Sequence, residues 1–277
     1  MREAEELARR AAAAGAVVLR RQGGAFGRVR VKSSRIDFVT DADVAAGVAA
    51  VQEILTHAPE SRFVVEEGEV YKAAGATAAE LTDDAVWVID PLDGTTSFLH
   101  GYPCYSVSVA YLEWGVPKAG AVHNVPLDEV FTAASGSGAT LDGLPISVGN
   151  ASSVDDALLI TGFPYDRTIT LDRQLAIFQE FVREAHGIRR DGSAAVDCCH
   201  VASGRADAFW ELGLQPWDTA AGVVILREAG AIVTDFTGAP WTVETSDVLA
   251  ANPRLHEAML ERIRELDPAR GNVPPTE

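Results

Sequence analysis

The sequence predicts a mixed α/β fold, and two observations lead to this prediction. Short apolar runs typical of buried strands alternate along the chain with longer segments whose apolar residues recur at helical spacing. The chain has 277 residues, of which 47% are hydrophobic, so it can bury the core of one large domain or of two closely packed halves. No apolar run reaches the ~20 residues that a membrane-spanning helix needs, so we expect no membrane partner.

The first part of the chain is predicted to begin with a helix over residues 3–22. This Ala-rich segment is not expected to be a signal peptide, because acids precede it, arginines follow it and no small-residue cleavage site comes after it. A second helix is expected over 42–56, where three valines and a leucine recur at helical spacing. Extended segments are predicted at 29–32, 37–39, 62–65, 86–89, 106–112, 119–124 and 129–133.

Residues 135–150 are rich in turn signals, with several glycines, an Asp-Gly pair and a proline. We therefore expect two halves, 1–145 and 146–266, followed by a polar, Pro-rich flexible tail over 267–277. In the second half the pattern predicts helices at 171–184, 194–202, 219–228 and 253–266. It predicts strands at 157–161, 207–211, 232–234 and 248–250.

Charge and cysteine content narrow the class of protein. The net charge of −17 repels nucleic acid and acidic membrane surfaces, so we expect neither as a partner. The three cysteines are Cys104, Cys198 and Cys199, an odd number with two adjacent, which argues against a disulfide framework. A reducing cytoplasm is therefore the expected compartment.

The run VWVIDPLDGTTSF, residues 86–98, places two acids at the end of a buried strand. Pro91 is expected to stop the strand, Gly94 to turn the backbone and Thr95 to open a short helix. A strand end, a tight turn and a helix start together form an anion-binding site, with Asp90 and Asp93 at its edge. The alternative is an ordinary turn rich in Asp and Gly.

Other acids follow apolar segments elsewhere. Glu66 and Glu67 come after the strand at 62–65, and Asp218 is predicted as the N-cap of the helix that follows it. Each has a simpler interpretation, as a solvated turn or a cap. If such acids converge, however, two unit charges ~4 Å apart repel by roughly 4 kcal/mol at an effective dielectric constant of ~20. A cluster of four is therefore expected to need bound cations.

The ligand chemistry favours Mg²⁺ or Mn²⁺, because carboxylate oxygens are hard ligands. The sequence has no HxxH or CxxC pair, which argues against a zinc site. His100, His123 and His200 are accordingly expected to be structural or surface residues.

Several stretches together resemble the inositol monophosphatase family. DPLDGTTSF and WDTAAGVVILREAG resemble its two signatures, and EEG and DFVTDAD match its other acidic elements in the expected order. GFPY and GSAAVDCCHVASGRADAFWE also resemble family segments. The resemblance covers residues 4–264 and implies a layered α-β-α-β-α sandwich of the inositol monophosphatase and sugar phosphatase type, commonly a homodimer.

The resemblance also implies a metal site with two to three Mg²⁺ ions, for which Mn²⁺ is a possible substitute. Glu66, Asp90 and the backbone carbonyl of Leu92 would hold the first ion. Asp90, Asp93 and Asp218 would hold the second, and Glu66 would reach a third through water. The first half would thus carry most of the ligands, and the second half the substrate pocket and Asp218.

For catalysis, the resemblance implies that Thr95, paired with Asp43, orients and deprotonates an attacking water, with Glu66 acting through its ions. Asp41 competes with Asp43 for this position, and the spacing to Thr40 favours Asp43. Lys32 would lie nearby as a supporting charge. The implied substrate-binding residues are Asp93, Gly94, Thr95, Gly192, Ser193, Ala194, Glu211 and Asp218, with the amides of Gly94 and Thr95 on the phosphate and Glu211 on substrate hydroxyls.

The implied activity is Mg²⁺-dependent, lithium-sensitive hydrolysis of a small phosphate monoester, with inositol monophosphate as the default substrate. Histidinol phosphate, fructose 1,6-bisphosphate and nucleotide 2′- or 3′-phosphates are alternatives handled by relatives. A cysteine-dependent phosphatase is a rival, because Cys199 and Arg205 fit the pattern C-x5-R. A binding module that retains the fold is a further alternative.

Overall fold

A computed structural model describes residues 1–22, 29–31, 38–164 and 170–266 of the chain. Lys32, Tyr165 of GFPY and the predicted tail 267–277 lie outside the described residues, as do parts of the extended segments predicted at 29–32 and 37–39. Within the described part, no helix is both long and apolar enough to cross a bilayer.

The described residues form eight helices and fifteen strands. The helices are α1 (Arg2–Gln22), α2 (Asp41–His57), α3 (Glu69–Ala74), α4 (Thr95–His100), α5 (Leu171–Val182), α6 (Ala194–Ala202), α7 (Pro216–Glu228) and α8 (Pro253–Leu266). The strands are β1 (Val29–Val31), β2 (Phe38–Thr40), β3 (Arg62–Val65), β4 (Thr77–Ala78), β5 (Val86–Asp93), β6 (Ser106–Glu113), β7 (Val116–Asn124), β8 (Glu129–Ala134), β9 (Ala139–Leu141), β10 (Leu144–Ile146), β11 (Leu158–Thr161), β12 (Gly187–Arg189), β13 (Ala208–Glu211), β14 (Ile232–Thr234) and β15 (Val248–Ala251).

The strands assemble into two large sheets and one β1–β2 pair. The eight-stranded sheet has the order β10-β9-β8-β7-β6-β5-β3-β4, and the five-stranded sheet has the order β12-β11-β13-β15-β14. The neighbours from β5 to β10 are all antiparallel, whereas β3 runs parallel to both β4 and β5. In the five-stranded sheet, β11 runs parallel to β12 and β13.

Alternation along the central strands determines the layers. On β5, Trp87 and Ile89 pack with the alanine-rich faces of α1 and α2, while Val86 and Val88 face the opposite side of the sheet. On β13, Phe209 faces that same interior, and its neighbours Ala208 and Trp210 pack with α5 and α8. The central strands of each large sheet are therefore buried on both faces.

Helices α6 and α7 fill the space between the two sheets. Eight of the nine residues of α6 are buried, and so are all residues of α7 from Thr219 to Leu226, which explains why neither helix is strongly amphipathic. The order of layers is thus helices α1 and α2, eight-stranded sheet, helices α6 and α7, five-stranded sheet, helices α5 and α8. This arrangement confirms the predicted layered α-β-α-β-α sandwich.

Two glycines let this central helix layer approach its neighbours closely. A Cβ added at Gly120 on β7 would lie 2.9 Å from the Cα of Ala221 on α7, and one added at Gly222 would lie 2.6 Å from the Cβ of Cys198 on α6. Both distances are shorter than side-chain contacts allow, so α7 packs backbone against sheet on one side and against α6 on the other.

Most predicted elements are present, and the differences have local causes. Strand β5 continues past Pro91 to Asp93, because the register shifts between Asp90 and Asp93 and leaves the proline without a ladder partner. The turn-rich segment 135–150 contains the short β9–β10 hairpin, which turns at Asp142 and Gly143, both with positive φ. The missed elements α3, β4 and β12 are too short for periodicity to reveal.

The eight-stranded sheet ends at Ile146, and the five-stranded sheet begins at Leu158. This change of sheet falls close to the predicted boundary between 145 and 146. Because α7 packs against both sheets, the two halves share one layer, and their independence as domains stays a prediction.

Candidate active site

The end of β5 carries a sharply turned segment. Asp90 is buried, and its Oδ1 accepts a hydrogen bond of 3.0 Å from the Leu92 amide. Gly94 follows with a φ of 94°, and a Cβ there would lie 2.9 Å from the carbonyl oxygen of Cys104. Only glycine meets both conditions, the left-handed backbone and the close approach. The turn delivers Thr95 to the first position of α4.

Thr95 contacts an acid on a different helix. Its hydroxyl lies 3.3 Å from Asp43 Oδ1 and 3.2 Å from the Leu92 carbonyl oxygen, and it can donate to either acceptor. Asp43 is fully buried and is fixed by Thr40, which caps α2 and whose amide donates a bond of 2.9 Å to Asp43 Oδ2. Asp41 is exposed at the start of the same helix. The geometry therefore brings Asp43, not Asp41, to Thr95.

Asp93 is held by the N-terminus of α6. Ser193 Oγ donates a bond of 2.6 Å and the Ala195 amide one of 2.8 Å, both to Asp93 Oδ2. Ser193 also caps α6 by accepting from the Val196 amide at 3.3 Å. The positive end of the helix thus faces this carboxylate.

Asp218 lies at the start of α7, where the sequence predicted it as the N-cap. That prediction is wrong: Gln215 is the cap, Pro216 is the first helical residue and Asp218 is the third. The Asp218 carboxylate accepts a bond of 2.7 Å from the Gln215 amide, which closes a capping box. The helix begins at Pro216 and not after Asp218, because the fixed φ of proline suits the first helical position.

Glu211 ends β13 and is buried against Gly162, which directly follows the neighbouring strand β11. A Cβ on Gly162 would lie 2.1 Å from the Glu211 carboxylate oxygens, so only glycine leaves room for this acid. Burial raises the pKa of Glu211 to about 8, while the nearby Arg190 guanidinium opposes the shift.

One cavity of about 320 Å³ collects nearly all of the predicted residues. Asp43 is the exception, because it lies behind Thr95. The cavity is lined by the predicted Glu66, Asp90, Leu92, Asp93, Gly94, Thr95, Gly192, Ser193, Ala194, Glu211 and Asp218. Sequence reasoning missed Arg190, an exposed cation in the same lining that is preceded by a second arginine and gave no distinguishing signal.

The acids in this cavity oppose one another's ionisation. Burial raises the pKa of Asp90 well above its usual range, and the charges of Glu66, Asp93 and Asp218 raise it further. Burial likewise raises the pKa of Asp218 well above its usual range. Burial raises the pKa of Asp93 to about 6, and the hydrogen bonds donated by Ser193 and Ala195 limit this rise. The cavity therefore favours added positive charge.

A sequence model described as the Inositol monophosphatase family matches residues 1–267. The chain belongs to the inositol monophosphatase family. It is a phosphoric monoester hydrolase, like the family members to which it is similar.

Individual relatives extend this comparison. The inositol-1-monophosphatase of Synechocystis is 39% identical over 240 residues, which cover 87% of this chain and 81% of the relative. The Nus factor SuhB of Escherichia coli is 40% identical over 231 residues, which cover 83% of each chain. Relatives with different names are thus equally similar.

Solved structures of the inositol monophosphatase family share the fold. The inositol monophosphatase of Anabaena (Nostoc) sp. superposes with a TM-score of 0.84 at 35% identity, covering 96% of this chain and 97% of that one. The SuhB protein of Bartonella henselae superposes with a TM-score of 0.85 at 32% identity, covering 94% and 98%.

The cysteine-dependent alternative lacks its chemistry. Cys199 lies fully buried within α6, and burial raises the pKa of its thiol well above the usual range, whereas a nucleophilic cysteine needs a low pKa. Arg205 is paired with Glu129 through two hydrogen bonds of 2.7 and 2.6 Å. Neither group is available for a phosphate.

A second cluster was missed altogether. Asp191, Asp197 and His200 bring one ligand atom each to within 4.8 Å of one another, next to the cavity wall. Their spacing, Asp-x5-Asp-x2-His, spans a turn and a helix start, so no linear motif indicated it.

Proposed function

We propose that this chain hydrolyses a small phosphate monoester with the help of divalent metal ions, and that inositol monophosphate is the substrate. A single observation carries the proposal: one cavity of about 320 Å³ is lined by four converging acids, by Thr95 with Asp43 behind it, and by the buried Glu211. Each part answers a different need of phosphate-ester hydrolysis.

The acids fit a group of divalent cations. Asp90, Asp93 and Asp218 are carboxyls whose pKa is raised by burial and by like charges, and a hard cation among oxygen ligands would reverse that destabilisation. We propose that Glu66, Asp90 and the Leu92 carbonyl hold one Mg²⁺, and that Asp90, Asp93 and Asp218 hold a second. Glu66 would reach a third through water, and Mn²⁺ can replace Mg²⁺.

When bound, Mg²⁺ supplies positive charge that offsets the charge of the phosphate and favours ionisation of water. The Thr95 hydroxyl proton is directed toward Asp43 Oδ1 or the Leu92 carbonyl, which leaves an oxygen lone pair to accept a proton from an attacking water. Thr95 thereby orients the water, and Asp43, locked by Thr40, keeps Thr95 in position.

Substrate binding is proposed at the remaining walls. The amides of Gly94 and Thr95 would donate to the phosphate at the start of α4, and Gly192, Ser193 and Ala194 would line the opposite side. Glu211 offers buried carboxyl oxygens to substrate hydroxyls, which suits a polyol.

The size of the cavity favours a small ester over the alternatives. About 320 Å³ lies at the lower end of the roughly 300 to 1,000 Å³ range of ligand pockets, which disfavours a dinucleotide. Histidinol phosphate and fructose 1,6-bisphosphate remain alternatives because they are also small.

A panel of phosphate monoesters, assayed for kcat/KM with saturating Mg²⁺, tests this proposal. Inositol monophosphate should give the highest value, and Glu211→Gln should reduce it more than it reduces hydrolysis of p-nitrophenyl phosphate, which lacks hydroxyls. A higher value for a nucleotide phosphate would assign a different substrate. No phosphate release from any ester with Mg²⁺ would favour a binding role.

Compartment, assembly and inhibition complete the proposal. The three cysteines are buried free thiols, which suits a reducing cytoplasm. We also propose a homodimer, testable by sedimentation velocity, and inhibition by lithium through occupation of a Mg²⁺ position.

A further inference from the structure

Three side chains of types that can ligate metal ions lie together where β12 leads into α6. Asp191 lies in the turn before the helix, and Asp197 and His200 lie three residues apart on α6, so they share one face of it. One ligand atom from each lies within 4.8 Å of the others, and His200 Nδ1 is 4.0 Å from Asp191 Oδ2. None of the three belongs to the proposed Mg²⁺ ligands.

Asp197 provides a second, independent observation. The residue is only 1% exposed, and neither carboxylate oxygen has a hydrogen-bond partner among the described residues. A buried carboxylate without donors is strongly unfavourable, because nothing replaces the water it has lost. The acids in the proposed Mg²⁺ site differ: Asp93 and Asp218, for example, each accept backbone hydrogen bonds.

The charges around Asp197 further disfavour its ionised carboxylate. Glu211, Asp191 and Asp93 all oppose its ionisation in addition to burial, and Arg190 alone among its principal charged neighbours favours it. A cation held by both Asp197 and Asp191 would compensate these charges directly.

We propose that Asp191, Asp197 and His200 form a separate binding site for a divalent transition-metal ion, with Zn²⁺ as the best match. One imidazole nitrogen and two carboxylate oxygens suit Zn²⁺ better than Mg²⁺ or Ca²⁺, which prefer oxygen ligands alone. Three protein ligands leave a fourth tetrahedral position for water. Asp191 and His200 are only partly buried, so an ion can enter from solvent.

Such an ion would position the wall of the active-site cavity. It would tie the turn containing Asp191 to α6, and this turn also carries Gly192 and Ser193, which line the cavity. The three ligands themselves do not line the cavity, so their role is to position the turn and not to touch the substrate.

The test measures Zn²⁺ bound per chain by equilibrium dialysis in excess Mg²⁺, which competes for the all-oxygen site. His200→Gln and Asp197→Asn should each bind one Zn²⁺ fewer than the unmodified protein. The matched control is His186→Gln, because His186 is exposed and outside the cluster; it should bind as many as the unmodified protein. Equal binding by all four proteins would overturn the proposal.

Two further measurements keep the result decisive if Asp197→Asn fails to fold. The Co²⁺-loaded protein should show visible absorption, and His200→Gln should lose it because the imidazole ligand is gone. The His200 side chain is 18% exposed, so its replacement should leave the core intact. Zn²⁺ should also raise the Tm of the unmodified protein and not that of His200→Gln. If Co²⁺ absorption and the Tm rise both persist in His200→Gln, the site is wrong, and the proposed phosphatase function is unaffected because it uses other residues.

Discussion

Ser193 Oγ donates a hydrogen bond of 2.6 Å to Asp93 Oδ2, and this bond connects the two halves of the chain at the active-site cavity. Ser193 is at the same time the N-cap of α6. One hydroxyl therefore holds a proposed metal ligand and begins the central helix, which makes the geometry of the acid cluster depend on the start of α6.

Ser193→Ala should disturb both stability and metal use. Loss of the cap should lower the free energy of unfolding by about 1 kcal/mol. Loss of one of the donors that hold the Asp93 carboxylate should raise the Mg²⁺ concentration for half-maximal activity by roughly 10- to 100-fold. Ser203→Ala is the matched control, because Ser203 lies at the other end of α6 and bonds only to backbone carbonyls. An unchanged Mg²⁺ requirement in Ser193→Ala would contradict this role.

Asp93→Asn and Asp218→Asn should each lower kcat/KM by roughly 100-fold or more, because each removes a proposed Mg²⁺ ligand. Both variants should stay folded. The raised pKa of Asp218 means that the fold disfavours its ionised form, so a neutral amide should leave the Tm of the metal-free protein unchanged or higher. Asp156→Asn, at an exposed acid outside the cavity, is the control. A fully active Asp93→Asn enzyme would exclude that carboxylate from the metal site.

Thr95→Ala should lower kcat by roughly 100- to 10,000-fold while Mg²⁺ binding, measured by calorimetry, stays close to that of the unmodified protein. In the proposed mechanism the Thr95 hydroxyl, which contacts Asp43, orients the attacking water. The proposed carbonyl ligand Leu92 should keep its place, because it lies in β5. Thr95→Ser retains the hydroxyl and should recover most of the turnover. Normal turnover in Thr95→Ala would remove Thr95 from the chemistry.

Chelation and thiol modification should distinguish a metal-dependent phosphatase from a cysteine-dependent one. EDTA should abolish activity and Mg²⁺ should restore it, whereas iodoacetamide should leave activity intact because all three cysteines are buried and burial raises the pKa of each. Lithium should inhibit the Mg²⁺-loaded enzyme. Full activity after exhaustive demetallation, verified by metal analysis, would refute the metal-dependent mechanism.

The sequence predicted the parts of this protein that local patterns encode. Short apolar runs located β5 and β6, and helical spacing located α2 and α7, because buried strands and buried helix faces each leave a local pattern of apolar residues. The convergence of Glu66, Asp90, Asp93 and Asp218 was predicted through two long signatures and the family resemblance; periodicity alone left an ordinary Asp-Gly turn open as an alternative.

What the sequence did not predict depends on three-dimensional proximity. Asp197 gave no signal, because the lack of partners for its two oxygens among the described residues is a property of the surrounding packing and not of its neighbours in sequence. The N-cap of α7 was misplaced by three residues, since Gln215 and Asp218 can each cap a helix and the choice depends on Pro216. The strand β5 was expected to end before Pro91, because a bulge that accommodates proline has no fixed sequence pattern.

His256 should make stability depend on pH. Its Nε2 lies 2.9 Å from Thr234 Oγ1, and because Thr234 donates its own proton to the Asp235 carbonyl, Nε2 carries the hydrogen and the buried ring is neutral. Burial, with the Arg264 charge, lowers the pKa of His256 from 6.5 to about 4. The unfolded chain therefore binds a proton that the folded chain does not bind until the pH falls to about 4.

The contribution of His256 is thus fully present above pH 6.5 and is lost as the pH falls from 6.5 to about 4, by roughly 3 kcal/mol in total. The free energy of unfolding, measured with urea at pH 7 and at pH 4.5, should fall less for His256→Gln than for the unmodified protein. Glutamine keeps an N–H donor for Thr234 but cannot be protonated. His186→Gln, at an exposed histidine, controls for the general loss of stability as carboxylates are protonated. His186→Gln retains the buried His256 ring, whereas His256→Gln lacks it. If both variants lose equal stability over this range, the acid sensitivity has another origin.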